Sequence, residues 1–307
     1  MTYKDFCNNI KEKMINERGY ENVRLIDVRK NNDVILQGLC MGAADGEDSD
    51  ISPTIYLNGM YEKYLEGATT EDILDLLERS YKDGANKLKF NKNDFLDYEI
   101  VRKRLAFKLI NYEKNKSLLE EIPHTKVLDL AMVFYYLLED DKSCVASIQV
   151  RNEHLEMWGI ERDILIRDAL KNTPEMLKVK TITMGEFIRH LGFTRDIFGD
   201  DDLEDDYSMI ILTNEKKING AGCFLYEEVL PKISEKMDAN LYIIPSSVHE
   251  VILVPDNGNI DLCYIKELVK EVNNTKVARD EILSYEVYEY LRDEQELRVC
   301  QEVCAAS

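Results

Sequence analysis

Basic residues are scarce in this sequence: 39 Lys and Arg stand against 59 Asp and Glu, a formal charge of −20. An exterior so rich in carboxylates repels phosphate backbones, which nucleic-acid binders neutralise with clustered cations, so direct DNA or RNA binding is disfavoured. The same excess disfavours an anionic membrane surface, because the densest basic segment is only Arg102-Lys103-Arg104. Long apolar runs are missing too. The longest, Val127 to Leu138, contains Asp129 and falls short of the roughly 20 residues a membrane-spanning helix needs. The start, Met1 to Cys7, has no basic stretch followed by an apolar centre and a cleavage site, so no export is expected and the protein is expected to be cytoplasmic.

Seven scattered cysteines, an odd number, make a poor disulfide framework, and reduced thiols are expected. The familiar signatures of chemistry are lacking as well: no G-x-S-x-G elbow, no H-E-x-x-H pair, no G-x-x-x-x-G-K-[ST] or G-x-G-x-x-G phosphate cradle. Neither a cofactor nor a metal is expected.

What is present suffices for a core. With 45% hydrophobic residues, 14 Gly and 6 Pro in 307 residues, global disorder is excluded, and a usual domain size of about 100–200 residues suggests two parts. The polar stretch Lys82 to Asn93 places a boundary near residue 90, giving an α+β subdomain over 1–90 and a larger α+β domain over 91–307.

Phe6, Ile10 and Met14 share one stripe of an opening helix that Gly19 ends. Val23-Leu25 and Val34–Leu39 flank Lys30-Asn31-Asn32-Asp33 as a hairpin, and Ile51–Leu57 adds a strand with Pro53 at its start or edge. Thr69 with Asp72 caps a helix carrying Ile73, Leu74, Leu77 and Tyr81. Val127–Leu138 and Val145–Val150 are expected to form an antiparallel hairpin, and 152–171 a helix ended near Pro174. Thr183 with Glu186 caps a further short helix. The last third reads as strand Met209–Leu212, helix Ala221–Met237 kinked at Pro231, strands Leu241–Ile244 and Val251–Val254, helix Leu262–Val272 and a strand near Tyr285–Tyr290. Hairpins mixed with helices argue for an α+β fold with mixed, largely antiparallel sheets and packed helices.

Several phrases, Ile51–Asn58, Asn152–Gly159, Leu212–Lys217 and Ile244–Val251, resemble a family of anaerobic gut Firmicutes (Clostridia) known only as a domain of unknown function. In the last third the chain also resembles an uncharacterised Bacillus family. Neither resemblance implies catalytic residues.

One polar cluster invites chemistry. Ser246, Ser247, His249 and Glu250 lie between two apolar strands, and a hydroxyl beside an imidazole supports acyl transfer when base and oxyanion donors are in place. A turn that caps the strands needs the same residues. His154 sits in Asn152-Glu153-His154-Leu155-Glu156-Met157-Trp158 without a second imidazole for zinc, and Met157 and Trp158 are expected to anchor that helix. Asn219-Gly220-Ala221-Gly222 opens a helix where exposed amides bind anions, but no lysine follows. The acidic runs Asp45–Asp50 and Asp200–Asp206 read as solvated loops, the first without the spacing of a calcium loop. The composition favours a cytoplasmic interaction or regulatory protein with a protein partner and no catalysis. Two alternatives stand beside it: a hydrolase using His249 with Ser246 or Ser247, and an acidic DNA mimic that blocks a nucleic-acid-binding protein.

Overall fold

A computed structural model describes residues 1–41, 54–87, 90–138, 147–183, 186, 209–245, 247–258 and 260–300. The fold is α+β, with three largely antiparallel sheets among the described residues and helices packed on them. The chain divides into two compact units, Met1–Asp97 with Leu137–Ile148, and Tyr98–Tyr136 with Gln149–Ser307.

In the first unit Thr2 opens α1 (Tyr3–Asn16), its hydroxyl accepting the Asp5 N–H at 3.2 Å. Phe6, Cys7, Ile10 and Met14 are buried because they recur on one helical face, and Gly19, at φ +71°, takes the left-handed conformation past the helix end. Strands β1 (Arg24–Arg29) and β2 (Ile35–Cys40) pair antiparallel from Arg24↔Cys40 to Arg29↔Ile35. Asn32 and Asp33 make their turn at φ 59° and 55°, a region their short polar side chains tolerate. Strand β3 (Thr54–Tyr56) adds to β2, short of the expected Ile51–Leu57; residues 51–53, Pro53 among them, lie outside the described residues. Helices α2 (Asn58–Leu65) and α3 (Thr70–Lys87) close the core around Phe6, Leu39, Leu57, Ile73 and Leu77. The cap is reciprocal: Thr69 N–H donates to Asp72 Oδ2 at 3.0 Å and Asp72 N–H to Thr69 Oγ1 at 3.2 Å. Helix α4 (Lys92–Leu96) completes the unit, with Phe95 buried.

The second unit opens with α5 (Tyr98–Val101) and β4 (Leu105–Asn111); β4 pairs with β6 (Leu130–Leu137), which pairs in turn with β5 (His124–Val127), and a fourth strand, β7 (Ser147–Gln149), also pairs with β6. In this sheet the middle strand β6 is buried throughout, which explains why apolar residues fill both of its faces. The strand expected from Val127 starts at Leu130 instead. Val127 ends β5 (His124–Val127), and Leu128, at φ 56°, turns the chain with Asp129 back into β6. The turn expected at 139–144 lies outside the described residues; beyond it come β7 (Ser147–Gln149) and Val150, whose N–H donates to Phe134 O at 3.0 Å. Helix α6 (Lys116–Leu119) connects β4 to β5.

The expected single helix over 152–171 is two. Gly159, at φ 65°, ends α7 (Asn152–Trp158), and α8 (Arg162–Met176) runs through Pro174 rather than stopping at it. Thr173 holds that last turn: its hydroxyl donates to Ala169 O at 2.6 Å and accepts Phe107 N–H at 3.1 Å. Trp158 is buried at 8% exposure whereas Met157, one position round the helix, is 42% exposed, so only the tryptophan anchors α7.

A six-stranded antiparallel sheet has the order β13-β12-β10-β11-β9-β8, from β8 (Val179–Thr183), β9 (Ile210–Asn214), β10 (Leu241–Ile244), β11 (Val251–Pro255), β12 (Tyr288–Leu291) and β13 (Glu296–Val299). The Ala221–Met237 helix is corrected to a 3-10 turn, Gly220–Leu225, followed by α9 (Val229–Met237). Pro231 therefore stands in the first turn of α9, where no intrahelical partner awaits its missing N–H. Helix α10 (Leu262–Thr275) starts on Asp261, whose carboxylate accepts Cys263 N–H at 3.0 Å. Cys7, Cys40, Cys223 and Cys300 are free thiols. Cys263 is disulfide-bonded, contrary to the expectation of reduced cysteines throughout. No helix among the described residues is long and apolar enough to cross a membrane.

Candidate functional site

Ser247, His249 and Glu250 lie in the connection between β10 and β11; Ser246 lies outside the described residues. The connection is tied down from several directions. Ser247 bridges Ile282, Val248 N–H donates to Glu281 O at 2.9 Å, and Ala221 N–H donates to Val248 O at 3.2 Å. Ser247 is buried; its hydroxyl donates to Glu250 Oε1 at 2.9 Å and accepts His249 N–H at 3.0 Å. The imidazole is turned elsewhere. His249 Nδ1 accepts the Asn219 N–H at 3.2 Å, which puts the neutral ring's proton on Nε2, 3.4 Å from Glu281 Oε1. Both ring nitrogens thus have partners other than Ser247, and the serine proton is directed at Glu250.

The Asn219–Gly222 segment has a packing role. Gly220 leaves no room for a side chain, since a Cβ there would collide with Thr213 Oγ1 and stand 2.5 Å from His249 O and 2.8 Å from Asn214 N. Residues 220–222 are buried, and the Ala221 amide is spent on Val248, so this stretch does not offer the exposed amides an anion site requires. His154 likewise serves α7: its Nδ1 accepts Arg151 N–H at 3.1 Å, its ring lies 5.6 Å from Trp158, and burial lowers its pKa. Among the described residues no three His, Cys, Asp or Glu side chains converge as a metal site. The acidic runs 45–50 and 200–206 lie outside the described residues.

Among the described residues of the second unit, a cleft of about 1180 Å³ lies between α8, β8, the 3-10 turn and α9. Its floor is apolar: Phe107, Leu225, Tyr226, Val229 and Ile233. Phe107 and Tyr226 meet edge to face at 6.1 Å. Gly222 lets the Phe107 ring come close, its missing Cβ lying 3.0 Å from that ring. Tyr226 Oη donates to Leu177 O at 3.0 Å and so ties the floor to the start of β8. Burial pushes the Tyr226 phenol well above its ordinary pKa and the neighbouring Cys223 thiol up to about 11, so both stay neutral and Cys223 is inert as a nucleophile.

The rim is charged with both signs. Lys232 on α9 pairs with Glu228, which stands at the N-cap of that helix, while Lys171, Lys178, Glu215 and Glu227 have no ion-pair partner among the described residues. Apolar floor and polar rim make the usual composition of a recognition site.

Sequence reasoning missed this cleft because its walls come from four separated segments. One signal for it was legible: four of the five residues in Val179-Lys180-Thr181-Ile182-Thr183 are β-branched, as strands favour.

No curated protein and no solved structure matches this chain. Over residues 3–292 it matches the model of a family of unknown function, DUF5688, and the chain belongs to that family.

Proposed function

We propose that this is a cytoplasmic interaction protein that acts by binding a protein partner and not by Ser–His hydrolysis. The observation that carries the reading is the cleft of about 1180 Å³ with its apolar floor and mixed-charge rim. An apolar concavity ringed by polar groups takes its affinity from burying apolar surface and its specificity from the rim. The His249 geometry supports the same reading. The imidazole accepts from Asn219 N–H and faces Glu281, while the Ser247 hydroxyl donates to Glu250, so the two do not form a base–nucleophile pair. The cluster serves instead to lock the β10–β11 connection against the Ile282 segment.

The test is a native pull-down with full-length wild type, Ile233→Glu and Ser247→Ala, quantified by mass spectrometry, alongside hydrolysis of p-nitrophenyl acetate. Ile233→Glu places a charge on the cleft floor and is expected to release a partner that Ser247→Ala retains. Hydrolysis by wild type is expected to equal that by His249→Ala. A partner set indifferent to Ile233→Glu, or hydrolysis abolished by His249→Ala, overturns the proposal.

A further inference from the structure

Among the described residues, strand β8 is the outermost strand of the six-stranded sheet, and it forms one wall of the cleft. Its pairing with β9 runs from Val179↔Asn214 to Thr183↔Ile210. One step before this ladder, Glu215 N–H donates to Lys178 O at 2.9 Å. Hydrogen-bonded and non-hydrogen-bonded pairs alternate along an antiparallel ladder. Lys178, Lys180 and Ile182 therefore turn their main-chain groups toward β9, and Val179, Thr181 and Thr183 turn theirs outward. Thr183 is accounted for, since its N–H donates to Glu186 Oε2 at 2.9 Å. The outward N–H and C=O groups of Val179 and Thr181 have no hydrogen-bond partner among the described residues.

Side chains and backbone at this edge point to the same occupant. Val179 and Thr181 line the cleft, and Val179 is 40% exposed although apolar and β-branched. Proteins usually blunt such an edge with proline, an inward charge or a covering element, because unpaired main-chain groups are a template for another strand. Here the nearest charge on β8, Lys180, alternates to the other face. A cleft of about 1180 Å³ also exceeds the roughly 300–1000 Å³ usual for small ligands.

Resting on the binding reading above, we infer that the partner contributes an extended segment that pairs with β8 at Val179 and Thr181 and lays alternate apolar side chains onto the Phe107–Ile233 floor. Two residues of free edge span about 7 Å, so the segment needs only about four or five residues in register. Lys171, Lys178, Glu215 and Glu227 give the cleft lining charges of both signs, which suits a polypeptide carrying both signs better than an amphiphile with one charged head.

The experiment selects a random nine-residue peptide library on the immobilised full-length chain and measures amide exchange of the protein with the enriched peptide. Enriched sequences are expected to alternate apolar and polar residues, and exchange at the Val179 and Thr181 amides is expected to slow at least tenfold. Thr181→Pro removes an outward N–H without touching the β9 ladder, as proline is tolerated on an edge; it is expected to weaken binding at least tenfold, and Lys180→Ala less than twofold. Peptides that bind the cleft with unchanged exchange at Val179 and Thr181 overturn strand pairing while leaving the cleft as the binding site. Peptides insensitive to Ile233→Glu overturn both. Self-association of the chain that Thr181→Pro abolishes, with no peptide enriched, assigns the edge to a second copy and also overturns the inference.

Discussion

The two units solve the folding problem with different materials. Among the described residues, every buried polar or charged side chain belongs to the second unit: Asn111, Asn115, Asp168, Thr173, Thr213, Asn214, Ser234, Ser247, Lys266, Asn273 and Ser284. The buried side chains described in the first unit are all hydrophobic, and its Arg18 cluster, with Asp75 at 2.8 Å and Glu78 at 3.6 Å, stays partly exposed. Apolar packing is non-directional and tolerant of detail. Buried hydrogen bonds are directional and costly to leave unmade, so they hold backbone segments in one arrangement. A cleft assembled from four segments needs that kind of fixing, and the second unit is where the cleft lies.

The comparison can be broken most strongly from the apolar side. Phe6 is fully buried and packs against Tyr61 and Tyr64 with ring centroids 5.2 and 5.3 Å away, so Phe6→Ala is expected to destabilise the first unit by about 4 kcal/mol. Urea denaturation measures it; a loss under about 1 kcal/mol means that the first core is not held by packing.

In the second unit the matching change is at Asp168. This buried carboxylate accepts Tyr98 Oη at 2.9 Å and faces Arg102 Nε at 3.1 Å and Arg167 Nε at 3.3 Å. Asp168→Ala is expected to cost about 3 kcal/mol, because the partners of a buried charge are left behind, and Asp168→Asn less. Equal stability of the alanine variant and wild type contradicts a structural role for this network.

Thr69→Ala sharpens the contrast from the other end. It removes an exposed cap of α3 and is expected to cost about 1 kcal/mol in the first unit alone, visible as faster amide exchange at the start of α3. Protection there that is unchanged shows that packing, not capping, sets that helix end.

The smallest effect is the pH dependence at His154. Burial lowers its pKa in the folded state, so the unfolded chain takes the proton first. Its contribution is therefore complete above the unfolded value of about 6.5 and is lost as pH falls below it, when protonated Nδ1 can no longer accept Arg151 N–H. Melting temperature between about pH 7.5 and 5.5 is expected to fall less in His154→Gln than in wild type, and equal slopes dismiss the mechanism.

Local periodicity carried much of the fold. The stripe Phe6-Ile10-Met14, the Asn32-Asp33 turn and the Thr69–Asp72 cap depend on neighbours within a few residues, and each stands in the structure where the pattern put it. Pro174 shows the limit. A rule about the residue before proline is outweighed by two hydrogen bonds to Thr173, one of them from Phe107 far away in sequence. The polar cluster shows the same limit differently: sequence placed Ser247 and His249 side by side, but the direction of the imidazole depends on Asn219 and Glu281, which no spacing rule connects to it.

The sequence by itself determined the class of the protein: a well-cored α+β chain with an excess of carboxylates, because composition and short-range periodicity act through burial and the backbone's own dihedral preferences. Tertiary structure alone decided where the cleft and the outward-facing edge of β8 lie. The cleft joins α8, β8, the 3-10 turn and α9, and the outward turn of the Val179 and Thr181 main-chain groups follows from the register with β9. Both depend on contacts between residues distant in the chain, whose geometry is set by packing and hydrogen-bond direction rather than by local pattern.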